Sequence, residues 1–224
     1  MRLAGKNRAE LEKVLAHYAA APDTLKLNAA RFLIENMPGH YSYNRAGMEL
    51  FAEQAMPVIR SNASTESKQK SLEEISTSLT DRISVEQDVK TVTADYLIYS
   101  IDDAFRLWRE EPYATHLDFD EFCEYLLPYK VVDPQPLDYW RDTLRHTFDA
   151  MQCRLINSED YSYNNLYIAR AANQKMKKEM KPSWSGSYGG FSFLGASLLG
   201  KTPFGTCDDY AIASVRSCGA KAFR

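Results

Sequence analysis

Several features that would classify a chain quickly are scarce or missing here. Only four cysteines occur among 224 residues, and Cys123, Cys153, Cys207 and Cys218 form no CxxC pair, which argues against a zinc site. No apolar run approaches the roughly 18–20 residues needed to span a bilayer. The opening Met1-Arg2-Leu3-Ala4-Gly5-Lys6 lacks the apolar stretch of a secretory signal, although an exported protein whose signal had been removed would look the same. Positive charge is not in excess. The formal net charge is −3, whereas nucleic-acid-binding domains concentrate a basic surplus, so no nucleic-acid partner is expected. The one basic cluster, Lys175-Met176-Lys177-Lys178-Glu179-Met180-Lys181, reads as a solvated helix end. A phosphate-binding glycine loop is also missing, because Gly200-Lys201-Thr202 lacks the upstream glycine and runs into Pro203. No cofactor and no metal are expected, and no internal repeat is apparent.

What the chain does have is helical periodicity. At 45% hydrophobic content it can bury one sizeable core or two small ones. Leu11, Val14, Leu15 and Tyr18 recur at i, i+3, i+4 and i+7, and Pro22-Asp23-Thr24 closes that helix and caps the next. The second helix carries Leu27, Ala30, Ile34 and Met37 and stops at Met37-Pro38-Gly39. Asn44 to Ile59 reads as a short helix broken by Pro57, and Ser61 to Ser71 as polar, exposed chain. The longest periodic run, Val85, Val89, Val92, Tyr96 and Tyr99 continuing through Ile101, Phe105 and Trp108, predicts one central helix. Asp118 with Glu121 makes a capping-box start for Phe119, Phe122, Cys123 and Leu126, ending at Pro128. Asp133-Pro134-Gln135-Pro136 is a turn, and Trp140, Leu144, Phe148 and Met151 repeat down a following helix.

Fourteen tyrosines and three tryptophans exceed what a small helical core requires. Tyr41, Tyr43, Tyr161, Tyr163 and Tyr167 fall among polar neighbours, where they either stack on sugars or peptides or pack between helices with the hydroxyl outward; packing is the preferred reading. From Pro182 to Gly205 the texture turns to Ser, Gly and aromatics. That stretch reads as a surface loop, with close approach of a substrate chain as the alternative.

The segment Phe204-Gly205-Thr206-Cys207-Asp208-Asp209-Tyr210-Ala211 places a cysteine at what reads as a helix start. The unpaired N–H groups there favour a thiolate, while the two following carboxylates oppose it, so the net shift has no sign from sequence. Tyr210, Ala211, Ala213, Ser214, Val215 and Cys218 allow one buried face before a Gly219 C-cap. On one straight helix Cys207 and Cys218 lie about 16 Å apart, too far for a disulfide. Cys123 and Cys153 read as small buried hydrophobes, with a disulfide between them left open.

This segment, with Arg216-Ser217-Cys218-Gly219-Ala220, resembles the cysteine-bearing stretch of transglutaminase-like, papain-like domains, departing where the family usually has Ile-Pro and this chain has Ala220-Lys221 after Gly219. Phe32-Leu33-Ile34-Glu35-Asn36-Met37-Pro38-Gly39-His40-Tyr41 and Phe119 to Tyr129 resemble the helical region that precedes such a core in Bacteroidetes-type proteins. The resemblance implies a mainly α chain: a helical, bundle-like domain over 1–155, then the beginning of an α+β papain-like core over 156–224. It implies a cysteine hydrolase or acyltransferase acting on peptide or amide bonds, with Cys207 as nucleophile and a His–Asp pair as its base and orienting group. The substrate would be a peptide or protein, including cell-wall peptide or glycan, and the setting periplasmic or outer-membrane-associated. In the family both partners follow the cysteine helix, so the segment reads as cut off and this chain alone is expected to be catalytically silent. His17, His40, His116 and His146 all precede Cys207 and are not expected to serve as its base. Trp184, Ser187 and the Thr206 and Cys207 N–H groups are the oxyanion-donor candidates. The alternative is a non-catalytic helical binding or scaffold module for a glycan or peptide.

Overall fold

The computed structural model describes residues 1–20, 23–110, 114–142 and 174. Of these, 67% are helical and 4% lie in strands, which makes the described part mainly α. After a 3-10 segment, Arg2–Asn7, come α1 (Arg8–Ala19) and α2 (Thr24–Asn36), then β1 (Tyr41–Tyr43), α3 (Arg45–Arg60) and α4 (Thr65–Ser78). The chain continues through β2 (Val85–Gln87), α5 (Asp88–Thr91), α6 (Ala94–Glu110) and α7 (Phe119–Tyr125).

Two apolar clusters organise these elements. The larger is built on α6, which packs against α1 and α2 and buries Tyr96, Leu97, Ile101, Ala104, Phe105 and Leu107 against Leu11, Val14 and Leu33. Trp108 stacks on Phe122 of α7 with ring centroids 4.3 Å apart, and its indole N–H donates to the Leu117 carbonyl at 3.0 Å. The smaller cluster joins α3 to α4 through Met48, Phe51, Ala55, Ile59 and Leu72. Between the clusters runs a two-stranded antiparallel ladder, Tyr41 opposite Gln87 and Tyr43 opposite Val85.

The helix ends follow the expected chemistry. Asp23 caps α2 by accepting from the Leu25 N–H at 3.1 Å and pairs with Arg109 at the far end of α6. Asp118 accepts from the Glu121 N–H at 2.8 Å while Glu121 accepts from the Asp118 N–H at 3.1 Å, so both halves of the capping box form. Gly39, at φ 97, makes the turn after Met37 that few other residues tolerate. Gly47 lets α3 approach the turn after α4: a Cβ there would lie 2.6 Å from the Arg82 carbonyl oxygen.

Two sequence expectations change. Val85 to Trp108 is not one helix but β2, α5 and α6, because residues 85–87 give their backbone groups to β1 and Val92 is extended at ψ 136. Val85 is 52% exposed, so its place in the apolar repeat was coincidental. Pro57 does not break α3; it lies in the last turn, where one missing N–H is tolerated while Ala55 and Ile59 stay buried. The polar stretch from Ser61 to Ser71 is mostly exposed, as expected, and is helical from Thr65, where α4 begins with Ser64 accepting from the Ser67 N–H at 3.3 Å. Leu144, Phe148 and Met151 lie outside the described residues.

The capping box gives a direct test. Asp118→Ala should cost about 1 kcal/mol in urea unfolding, and no measurable loss would show that α7 is held by Phe122 and Trp108 alone.

Candidate functional site

Cys207 lies outside the described residues, as do Cys153, Cys218, His146, Trp184, Ser187, Thr206, the Lys175 to Lys181 cluster, the Pro182 to Gly205 stretch and Tyr161, Tyr163 and Tyr167. Cys123 is described and is buried on α7. Burial, and then the nearby Asp120 charge, pushes its thiol up to about 11, which suits a packed side chain and not a nucleophile. Among the described residues no group of three or more acidic, His or Cys side chains could hold a metal ion, and no helix is long and apolar enough to cross a membrane.

The strongest polar feature is a chain of charges joining three segments distant in sequence. Asp88, at the start of α5, is 0% exposed. One of its carboxylate oxygens accepts from the Ser42 hydroxyl at 2.5 Å and the other from the Tyr129 hydroxyl at 2.7 Å. The Lys130 ammonium lies 2.5 Å from the latter oxygen, donates to the Tyr41 carbonyl at 2.7 Å and also pairs with Asp133. Asp133 in turn bonds His40 Nδ1 at 2.7 Å and accepts from the Tyr41 N–H at 3.3 Å. Strand β1, the start of α5 and the 129–133 segment are thereby fastened together.

A buried ion pair is tolerated when hydrogen bonds satisfy both partners, and here nearly every lone pair of Asp88 has one. Burial, and then the facing Asp88 charge, raises the Tyr129 hydroxyl well above its ordinary range, so it stays a donor to Asp88. Burial pulls the Asp133 carboxyl upward, but Lys130 and His40 outweigh it and hold the group below the usual carboxylate range. Serine beside lysine can act as nucleophile and base in other settings. Here the Lys130 ammonium pairs with two carboxylates and has no lone pair to offer, and the Ser42 proton is directed at Asp88. The cluster is a fastening.

Alongside it lies a cleft of about 150 Å³. It is lined by Ser42, Tyr43 and Arg45 from the end of β1 and the start of α3, by Glu86, Thr91, Thr93 and Tyr96, and by Leu137 and Tyr139. Hydrogen bonds hold this lining in place. The Tyr96 hydroxyl lies 3.0 Å from the Tyr129 carbonyl oxygen and 3.3 Å from that of Asp138, and Trp140 donates to the Tyr129 carbonyl at 2.9 Å. Asn44 accepts from the Ser84 N–H at 2.8 Å and donates to the Arg82 carbonyl at 3.1 Å, locking the β1–α3 corner.

Of the flagged tyrosines, Tyr43 is buried at the cleft and Tyr41 is 38% exposed beside the charge chain. Tyr96, Tyr139 and the Asp88 chain carried no functional signal in the sequence; lone Asp, Lys and Ser residues separated by more than forty positions have no spacing to read. His40, not expected as a base, is oriented by Asp133, yet no described side chain bonds its Nε2. Comparison with protein-family models, with curated proteins and with solved structures finds no match to this chain.

Removing Asp88 leaves Lys130 buried beside a single carboxylate. Asp88→Ala should cost about 3–5 kcal/mol in denaturant unfolding, and a loss below about 1 kcal/mol would deny the fastening its importance. Asp133 contributes differently with pH. A carboxyl held below its unfolded value stabilises fully above the unfolded pKa of about 3.9, and that contribution is lost as pH falls through the lower folded value. The melting-temperature gap between the wild type and Asp133→Asn should therefore be constant near neutrality and close below about pH 4; a gap unchanged into strong acid would contradict the pairing.

Proposed function

We propose that the chain combines a helical, ligand-holding domain with the nucleophile segment of a transglutaminase-like cysteine hydrolase or acyltransferase acting on peptide or amide bonds. The observation that supports the catalytic part is the Gly205-Thr206-Cys207-Asp208-Asp209-Tyr210-Ala211 pattern, a small, flexible approach to a cysteine followed by acidic residues suited to a helix first turn. In this reading the papain-like core begins near residue 156. The Cys207 thiolate adds to a substrate carbonyl, the C–N bond breaks with a proton delivered to the leaving amine by a histidine, and the resulting thioester is transferred to water or to a second amine. Peptide, protein or cell-wall fragments are the substrates this chemistry accommodates.

A second reading, a non-catalytic module that binds a glycan or peptide, is favoured by one specific observation: the preformed cleft at Tyr43, Tyr96 and Tyr139. It needs no chemistry at Cys207, and ligand binding would survive Cys207→Ala.

Thiol reactivity tests the catalytic reading. In the protein isolated from its natural source, iodoacetamide at pH 7 should alkylate Cys207 at least about tenfold faster than a free-cysteine peptide, while Cys123 stays unlabelled until the protein is unfolded. Equal rates for Cys207 and the peptide would count against a nucleophile.

A further inference from the structure

We infer that the cleft between β1, the start of α6 and Tyr139 binds a single uncharged pyranose ring, the terminal or internal unit of a neutral oligosaccharide. The inference rests on the binding reading above and names its ligand class.

Three observations converge on a sugar. First, Tyr139 is 41% exposed yet its ring is held: it meets Tyr99 edge-on at 4.7 Å and 89°, and Tyr96 at 5.7 Å and 59°. An exposed aromatic whose orientation is fixed from behind presents a platform at little entropic cost. The apolar C–H face of a pyranose matches such a ring. Second, the polar groups around it are mixed in kind. Glu86 and Arg45 lie in the lining, Arg45 paired with Glu49 at 2.7 Å, and Thr91 and Thr93 add hydroxyls that both donate and accept. Such a lining suits a ligand that carries donors and acceptors on every side and no net charge; a phosphate would meet Glu86, and the Arg45 charge is already taken up by Glu49. Third, the volume of about 150 Å³ is small against the roughly 300–1,000 Å³ of drug-sized sites. It accommodates one six-membered ring with its hydroxyls, while its open side lets a chain continue into solvent.

The walls are rigid for reasons already given. Ser42 is tied to Asp88, Asn44 to the 82–84 turn, and Tyr96 to the 129–138 segment. A preformed site of this size with one platform and few hydrogen bonds implies weak, fast binding, with a Kd of about 0.1–1 mM per ring.

The test is calorimetric titration of the 224-residue chain with cellotetraose and chitotetraose, and with tetra-alanine as a peptide control. Saturable binding of at least one sugar is expected, weakened about tenfold or more by Tyr139→Ala and kept within about threefold by Tyr139→Phe. Glu86→Gln, at a half-buried position of the lining, should weaken it while leaving the melting curve unchanged, which separates a binding effect from a folding defect. Sugar binding undiminished in Tyr139→Ala would overturn the assignment of the site. Binding of tetra-alanine alone would overturn the sugar and leave the module reading standing. Binding of none of the three would take the sugar inference and, with it, the argument from the cleft.

Discussion

Asp88 is the residue on which the described structure depends most. A carboxylate with no exposure to solvent must find several hydrogen-bond donors or lose several kcal/mol of hydration, so Ser42, Tyr129 and Lys130 are drawn to it from segments some forty residues away on either side. Those three bonds decide where β1 lies relative to α5 and where the irregular segment after α7 returns. Lys130, once placed, recruits Asp133, and Asp133 recruits His40. Asp88, Lys130 and Asp133 alternate in sign, so each lowers the cost of burying its neighbour.

The same fastening explains why a cleft exists. Two apolar clusters, one around α6 and one between α3 and α4, would leave their junction free to slide if only dispersion acted across it. The β1–β2 ladder and the Asp88 bonds make the junction directional. The cleft lined by Tyr43 to Arg45, Glu86, Thr91 and Thr93 therefore keeps its shape without a ligand. Rigidity at this place is what allows a few weak contacts to count toward binding.

Much of the helical framework was legible in the sequence because its causes are local. Leu11, Val14 and Tyr18 repeat on one face and are buried; Asp23 and the Asp118–Glu121 pair sit at the starts they mark; Met37-Pro38-Gly39 ends a helix as expected. Val85 to Trp108 misled because an apolar repeat does not reveal whether the backbone N–H and C=O groups are spent within a helix or on a strand elsewhere. Pro57 misled in the other direction, since a single lost hydrogen bond near a helix end is outweighed by the apolar face that continues through it.

The sequence by itself determined the mainly helical character, the capped helix starts and the resemblance around Cys207, all of which follow from neighbouring residues. Only the tertiary structure decided that Ser42, Asp88, Tyr129, Lys130, Asp133 and His40 form one chain of bonds, and that Tyr43, Tyr96 and Tyr139 share a cleft. The physical reason is range. Helix propensity and capping act within about one turn of chain, whereas a buried carboxylate or a cleft wall is satisfied by whichever side chains the packing of distant helices brings within reach, and no local pattern records that.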